Sequence, residues 1–348
     1  MSSKKSIIGI QYLRGYAAIL VVITHFFNNG GYISDSLNLK LIGEFGVDIF
    51  FIISGFIMAY TLPEFDHSNN RREAISFIKK RILRIYPIYL LILTPILVIY
   101  IIKVAIGKTD LSISSIFGSI FLLPGFTNDD RYRMINPPAW TLVYEMFFYV
   151  TLTITIFFSK NKKTSILFYS FLILLVLIVV NFFNFQGEKM GWVNLTYMIG
   201  DPIFIDFVMG FLLFYMLKIK IKANIKLSFM LLLCIFITFI ATSLSLAGIP
   251  RLMCYGIPAF ILVSIFTLSD TISSSKNKML AFIGGASYSI YLSHPLFFPF
   301  HSIIHEKFGG LLNTNIVDLL FSILAVCFGC IVFNKIEKRI SLFIKENC

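Results

Sequence analysis

Long apolar runs, separated by short polar segments, recur along the whole chain and dominate its pattern. Each run has about twenty residues, the length that a helix needs to cross the hydrocarbon core of a bilayer. The pattern predicts an all-α, polytopic membrane protein in which residues 1–348 form a single membrane domain. Ten spans are expected, at residues 7–29, 42–62, 82–103, 139–158, 165–184, 200–217, 226–246, 251–269, 281–304 and 312–334.

Charge supports this topology. Only 14% of the residues are charged and 57% are hydrophobic, which excludes an ordinary soluble domain. With both termini in the cytoplasm, most of the 30 Lys and Arg residues fall on the cytoplasmic side of the predicted spans. The net charge of +12 is therefore a topology signal and not evidence for nucleic-acid binding. A further run, 111–126, would invert every later loop if it spanned, so it is predicted to be re-entrant or interfacial.

The first span carries two ionisable residues, Arg14 and His25. Their spacing places them on nearly the same helix face, roughly 16 Å apart along the axis. Ionisable groups within a membrane helix are costly and usually face a protein interior or a wet cavity. The pair therefore favours a functional site over packing.

Two carboxylates are expected at a similar depth to His25. Asp48 lies near the outer end of the second span, and Glu145 lies more than one turn inside the fourth. Asp48 needs a cationic or hydrogen-bonding partner at that depth. Three titratable groups in the outer third of three spans indicate a site. Ser54 and Gly55, in contrast, are typical of a close helix–helix contact.

A basic segment precedes the third span, and it contains Arg81 and Arg84. Residues three apart share a helix face, so two guanidinium groups here would form a phosphate clamp at the inner mouth of the bundle. A simple topology signal explains the same residues equally well.

The later spans hold further polar groups. Ser287, Tyr291 and His294 form a polar stripe in the ninth span, whereas Asp206 and Asp318 could be supporting or structural residues. His301 and His305 have the spacing of metal ligands, but no carboxylate motif of the HExxH type accompanies them, so no metal is expected.

Five segments of the chain form an ordered set of motifs: Arg14-x10-His25, the second-span segment 46–56, Arg81-x-x-Arg84, the block 140–145 and the late-span segment 287–295. In this order they resemble the membrane acyltransferase-3 family, bacterial inner-membrane enzymes that O-acetylate surface polysaccharides. The block 140–145 has Thr141 where the family usually has Ser.

The resemblance implies cytoplasmic acetyl-CoA as donor and a carbohydrate hydroxyl as acceptor, with membrane lipids around the chain. Arg14, Arg81 and Arg84 are then expected to hold the donor phosphates. Trp140, Tyr144, Tyr291 and His294 are expected to contact the acceptor.

His25 is the expected catalytic group, either as general base or as a nucleophile that forms an acyl-histidine. Glu145 or Asp48 would orient its imidazole, as the third member of a catalytic triad does.

Other functions remain open from the sequence. Buried charges on broken helices also mark transporters or flippases for lipid-linked sugars, although the chain has no evident internal repeat. Acyl transfer to a small glycoside is a further alternative. A purely structural membrane partner does not account for the titratable groups.

Overall fold

A computed structural model describes residues 8–27, 32–126, 132–188, 193–217, 226–269, 277–308 and 313–347. Within these ranges the chain is helical, and its only β-type pairing is an isolated bridge between Gly125 and Asn194. The predicted all-α class is confirmed. The chain forms two compact units, Met1–Tyr60 with Ile203–Ile336 and Thr61–Pro202 with Glu337–Cys348.

The first unit contains most of the short and broken helices. Its helices are α1 (Ile8–Phe26), α2 (Tyr32–Ser36), α3 (Ile42–Thr61, whose last residue begins the second unit), α9 (Ile203–Met216), α10 (Leu227–Leu246), α11 (Ile257–Leu268), α12 (Lys278–Ser293), α13 (Phe298–Phe308) and α14 (Thr314–Val332). A π-helical turn, Leu252–Gly256, precedes α11, and another, Phe333–Glu337, follows α14.

The second unit is built around one long helix. Its helices are α4 (Asn70–Ala105), α5 (Ile113–Phe121), α6 (Trp140–Phe158, after a 3-10 turn Pro137–Ala139), α7 (Lys162–Phe182), α8 (Leu195–Met198) and α15 (Lys338–Asn347).

Seven helical segments of the described ranges are long and apolar enough to cross a membrane. They are Ile8–Phe26, Ile42–Thr61, Asn70–Ala105, Pro137–Phe158, Lys162–Phe182, Leu227–Leu246 and Thr314–Ile344. The remaining three predicted spans coincide with α9, with the shorter apolar segment Leu252–Leu268, and with α12 and α13. The count of ten spans stays a prediction. Residues 1–7 and the loop 127–131, on which the predicted orientation depends, lie outside the described residues.

The run 111–126 forms α5, which is a helix of nine residues. Nine residues rise only about 13 Å, less than half the hydrocarbon thickness. Ser112 caps its start, and Leu122 ends it with a left-handed backbone, φ 51°. Ile113, Phe117 and Phe121 are exposed along one face, as in a helix that lies at an interface.

Close glycine contacts bring the helices of the first unit together. Gly15 of α1 lies against Gly284 of α12, where a Cβ at Gly284 would overlap the backbone carbonyl of Gln11. Gly55 of α3 and Gly210 of α9 make a second contact of this type. Small residues at such crossings let two backbones approach, as expected for Gly55.

Helix α4 begins three turns before the predicted third span. The Asn70 amide at its start donates to the carbonyls of Phe157 (3.0 Å) and Ser159 (3.0 Å) at the end of α6. The two helices therefore run antiparallel, with the start of α4 level with the end of α6. Arg81 and Arg84 lie about 16 and 21 Å further along α4, well inside this helix pair and not at its end.

Candidate active site

His25 lies near the C-terminal end of α1 and is partly buried. Its Nδ1 is 2.8 Å from the carbonyl oxygen of Val21, one turn earlier. A carbonyl only accepts hydrogen bonds, so Nδ1 carries the proton and the neutral ring has its lone pair on Nε2. A backbone carbonyl therefore fixes the tautomer of His25. The predicted orienting group was a carboxylate, that of Glu145 or Asp48.

His294 is the neighbour of this ring. The two imidazole centroids are 5.0 Å apart, and Phe298 lies 5.7 Å from His25 and 5.6 Å from His294. His294 is fully buried at the break between α12 and the 3-10 turn His294–Phe297. Its Nδ1 faces the carbonyl of Ile290 at 3.3 Å, so its lone pair is also on Nε2.

The Nε2 atom of His294 is buried and has no hydrogen-bond partner among the described residues. A buried acceptor without a hydrogen bond costs free energy, and a bound donor group would remove that cost. Two adjacent imidazoles with Nε2 lone pairs make a place suited to a hydroxyl group. Both histidines were candidates from the sequence, but their proximity was not predicted.

The pairing follows from the glycine contact. Gly15 meets Gly284, and ten residues later along each helix His25 meets His294, so α1 and α12 run in parallel. Arg14 is partly buried beside this crossing, roughly 16 Å from His25 along α1.

Asp48 occupies a different level from the histidine pair. Gly43 contacts Thr24, and Gly46 contacts Ala17, so α3 runs antiparallel to α1. This register places Asp48 about two helical turns from His25, measured along α1 toward the start of that helix. The expectation that both groups lie at one depth is wrong in this respect.

The cationic partner of Asp48 is Arg251, which the sequence analysis did not single out. Its guanidinium pairs with the buried Asp48 carboxylate and with Glu44 (3.0 Å). Asp206 lies beside the Asp48 carboxyl group, so a second acidic side chain belongs to this buried cluster. The sequence did contain a signal for this pair. Arg251 is the first residue of the predicted span 251–269, and both this span and the second span, which contains Asp48, were predicted to begin at the outer side of the membrane.

A π-helical turn makes room for this cluster. Gly256 ends the turn Leu252–Gly256, and a Cβ there would press against the Asp206 carboxyl. Such π turns often occur at functional sites, and no periodicity in the sequence predicts this one.

The second unit contains a basic cavity of about 200 Å³ beside α4. Three cations and one carboxylate line it: Lys80, Arg81, Arg84 and Glu73, with Thr61, Pro63, Ser76 and Phe77 completing the wall. Arg81 and Arg84 therefore do share a surface, as their spacing predicted. The net positive charge suits an anionic group.

The two arginines are held differently. Arg81 is buried, donates to the Thr61 hydroxyl (2.5 Å), and lies over the rings of Phe77 (5.2 Å) and Tyr149 (5.5 Å). Arg84 is exposed. Arg81 is thus fixed by packing, whereas Arg84 can reorient toward a ligand.

Glu145 lies close to Arg81 in the second unit. Tyr149 donates to its carboxylate (3.2 Å), and Tyr149 in turn carries Arg81 on its ring. Arg81 was expected at the inner mouth of the bundle and Glu145 in the outer third. They are only about one to two helical turns apart, because α4 and α6 are antiparallel with Arg81 level with the middle of α6.

The aromatic residues predicted to contact the acceptor are packed against other groups. Tyr144 is buried and donates to Asp201 (2.7 Å), and Trp140 stands edge-on to it at 5.5 Å. Tyr291, in the first unit, lies between Phe50 (5.7 Å) and His294 (6.2 Å). Tyr291 is therefore the one of these three that adjoins the histidine pair.

Two comparisons with known proteins return a match. The family model described as "Acyltransferase domain" matches residues 7–335. The chain is 27% identical over 267 residues to "Exopolysaccharide production protein ExoZ" of Rhizobium meliloti (strain 1021), covering 73% of this chain and 76% of that protein. No solved structure matches the chain with significance.

Proposed function

This chain belongs to the acyltransferase-3 family, and from that membership we propose that it moves an acetyl group from acetyl-CoA to a sugar hydroxyl. The family and the similarity to the exopolysaccharide production protein support acyl transfer in polysaccharide production. The acceptor we propose is a surface polysaccharide or its lipid-linked precursor, and the location is the bacterial cytoplasmic membrane.

The observation that carries this proposal is the fixed tautomer of His25. With Nδ1 held by the Val21 carbonyl, Nε2 presents a lone pair beside His294 and Phe298. A neutral imidazole in this state is suited to accept a proton from a hydroxyl.

The proposed chemistry is direct transfer. Nε2 of His25 takes the proton of the acceptor hydroxyl while its oxygen attacks the thioester carbonyl. The carbon–sulfur bond then breaks, and the CoA thiolate leaves and recovers the proton from the imidazolium. The unpartnered Nε2 of His294 supports a role in holding the acceptor through a second hydroxyl.

For the donor, we propose that Arg84 and Lys80 contact CoA phosphates in the basic cavity. Arg81 forms part of the cavity wall in a fixed position. Charge-assisted hydrogen bonds of guanidinium to phosphate are among the strongest polar contacts. Arg14, predicted as a donor ligand from the family signature, stays a candidate for the same role.

The test uses the full chain purified in detergent, with labelled acetyl-CoA and exopolysaccharide from a strain that lacks the gene. We expect labelled acetyl groups on the glycan together with stoichiometric CoA release. Mass spectrometry of surface glycans from strains with and without the gene identifies the modified sugar. Purified protein that binds no acetyl-CoA, with unchanged glycans in the deletion strain, would refute this proposal.

A further inference from the structure

A second histidine cluster lies where α13 meets α14, and it is separate from the groups assigned to acyl transfer. Nε2 of His301 and Nε2 of His305 are each 2.7 Å from the same oxygen of Asp318. The three candidate ligand atoms lie within 4.8 Å of one another. The histidines are one turn apart on α13, so both rings project from one face.

Charge makes this cluster unusual. Asp318 is buried, and in the described part of the chain its Oδ1 atom contacts the imidazoles of these two histidines. A carboxylate between two neutral imidazoles leaves a negative charge in the interior, which is costly. A cation that the cluster itself binds would neutralise it.

We propose that His301, His305 and Asp318 bind a divalent transition-metal ion, with Zn²⁺ as the reference metal. Two imidazole nitrogens and one carboxylate oxygen are ligands that zinc prefers, and three protein ligands leave a fourth position for water. No metal was predicted from the sequence, because no motif of the HExxH type accompanies the two histidines. Asp318 comes from the next helix instead.

The required adjustment is small. Bonds of 2.0–2.1 Å in tetrahedral geometry separate neighbouring ligand atoms by about 3.4 Å. Each Nε2–Oδ1 distance would therefore open by about 0.7 Å, within the reach of side-chain rotation.

The ion would act as a clip between the two helices. His301 packs on Phe26 (5.2 Å) and Phe321 (5.2 Å), and α13 begins with Phe298, which contacts His25 and His294. Fixing α13 to α14 would hold Phe298 against the histidine pair. The site is thus a positioning element and not a source of the acyl-transfer chemistry.

The experiment measures metal directly. The full chain, purified in detergent without a polyhistidine tag, is stripped with chelator, incubated with Zn²⁺, dialysed and analysed by mass spectrometry for bound metal. We expect about one zinc per chain, lost in His305→Ala and in Asp318→Asn. The matched control is His67→Ala, an exposed histidine in another part of the chain, which should retain the metal.

Two measurements on unmutated protein keep the proposal testable if the variants fold poorly. Co²⁺ should produce the visible absorption of a tetrahedral site, and Zn²⁺ should raise the melting temperature of chelator-treated protein. Equal zinc content in the unmutated chain and Asp318→Asn, or no effect of Zn²⁺ on the melting temperature, would overturn the proposal.

Discussion

At the scale of single residues, we expect the two histidines beside Phe298 to contribute unequally to the acetyl-transfer rate. We expect His25→Ala to lower the acetyl-transfer rate by about 10²–10⁴-fold, since it removes a general base. His294→Ala should cost less, because it removes only a proposed contact to the acceptor. Donor binding should be nearly unchanged in both variants, as measured by equilibrium titration with acetyl-CoA.

His67→Ala is the control for these two variants, because this histidine is exposed and distant in sequence from the site. If His294→Ala abolished transfer while His25→Ala kept a tenth or more of the rate, the roles of the two rings would be exchanged. A well-folded His25→Ala chain with full activity would exclude His25 from the chemistry.

The two arginines of the basic cavity also differ in their expected effects. Arg84→Ala should weaken acetyl-CoA binding about 10- to 150-fold, the equivalent of 1.5–3 kcal/mol for a charge-assisted contact. Arg81→Ala should in addition lower the melting temperature, because it removes the Thr61 hydrogen bond and two ring contacts. Arg81→Lys should not restore stability, since the planar group is lost.

Lys79→Ala provides the comparison, because Lys79 is exposed on α4 and does not line the cavity. Donor affinity that is equal in Arg84→Ala and Lys79→Ala would show that the basic segment is a topology signal only.

At the scale of helices, the crossing of α1 and α12 determines whether the histidine pair exists. Gly284→Ala places a methyl group on the Gln11 carbonyl, so the two helices must separate. We expect a lower melting temperature and a loss of transfer larger than the loss of donor binding, since His25 and His294 would move apart. Thermal unfolding and initial rates measure the two effects.

The adjacent Gly285→Ala is the matched control. A Cβ there would lie 2.9 Å from the tip of the Phe333 side chain, whereas at Gly284 it would overlap a backbone carbonyl. Similar losses in the two variants would mean that helix propensity, and not the crossing, accounts for the effect.

At the scale of the whole molecule, the prediction concerns the orientation of the chain in the membrane. A topology reporter at Lys160, in the exposed turn between α6 and α7, should report cytoplasm, and one near Asn128 should report the exterior. Lys160 is preferred to Lys162, which is buried and donates to the Leu62 carbonyl (2.7 Å). A cytoplasmic signal near Asn128 would mean that residues 111–126 cross the membrane after all.

The sequence by itself determined the class of the protein and most of its helices. Burying twenty-residue apolar runs in lipid requires helices, because only a helix satisfies the backbone within the run. The distribution of basic residues indicated in the same way that the run 111–126, which contains α5, does not span. The candidate groups His25 and Glu145 were also evident, since ionisable residues in apolar runs are rare and costly. Arg81 was evident from its spacing to Arg84 on one helix face.

Only the tertiary structure decided which of these groups meet. His25 lies beside His294 because two glycines allow α1 and α12 to touch, and Asp48 pairs with Arg251 because α3 and the turn before α11 converge. Arg81 lies near Glu145 because α4 starts twelve residues before the apolar run predicted as a span. Hydrophobic periodicity specifies the face that each helix buries, but helix register and partners depend on contacts between residues far apart in the chain.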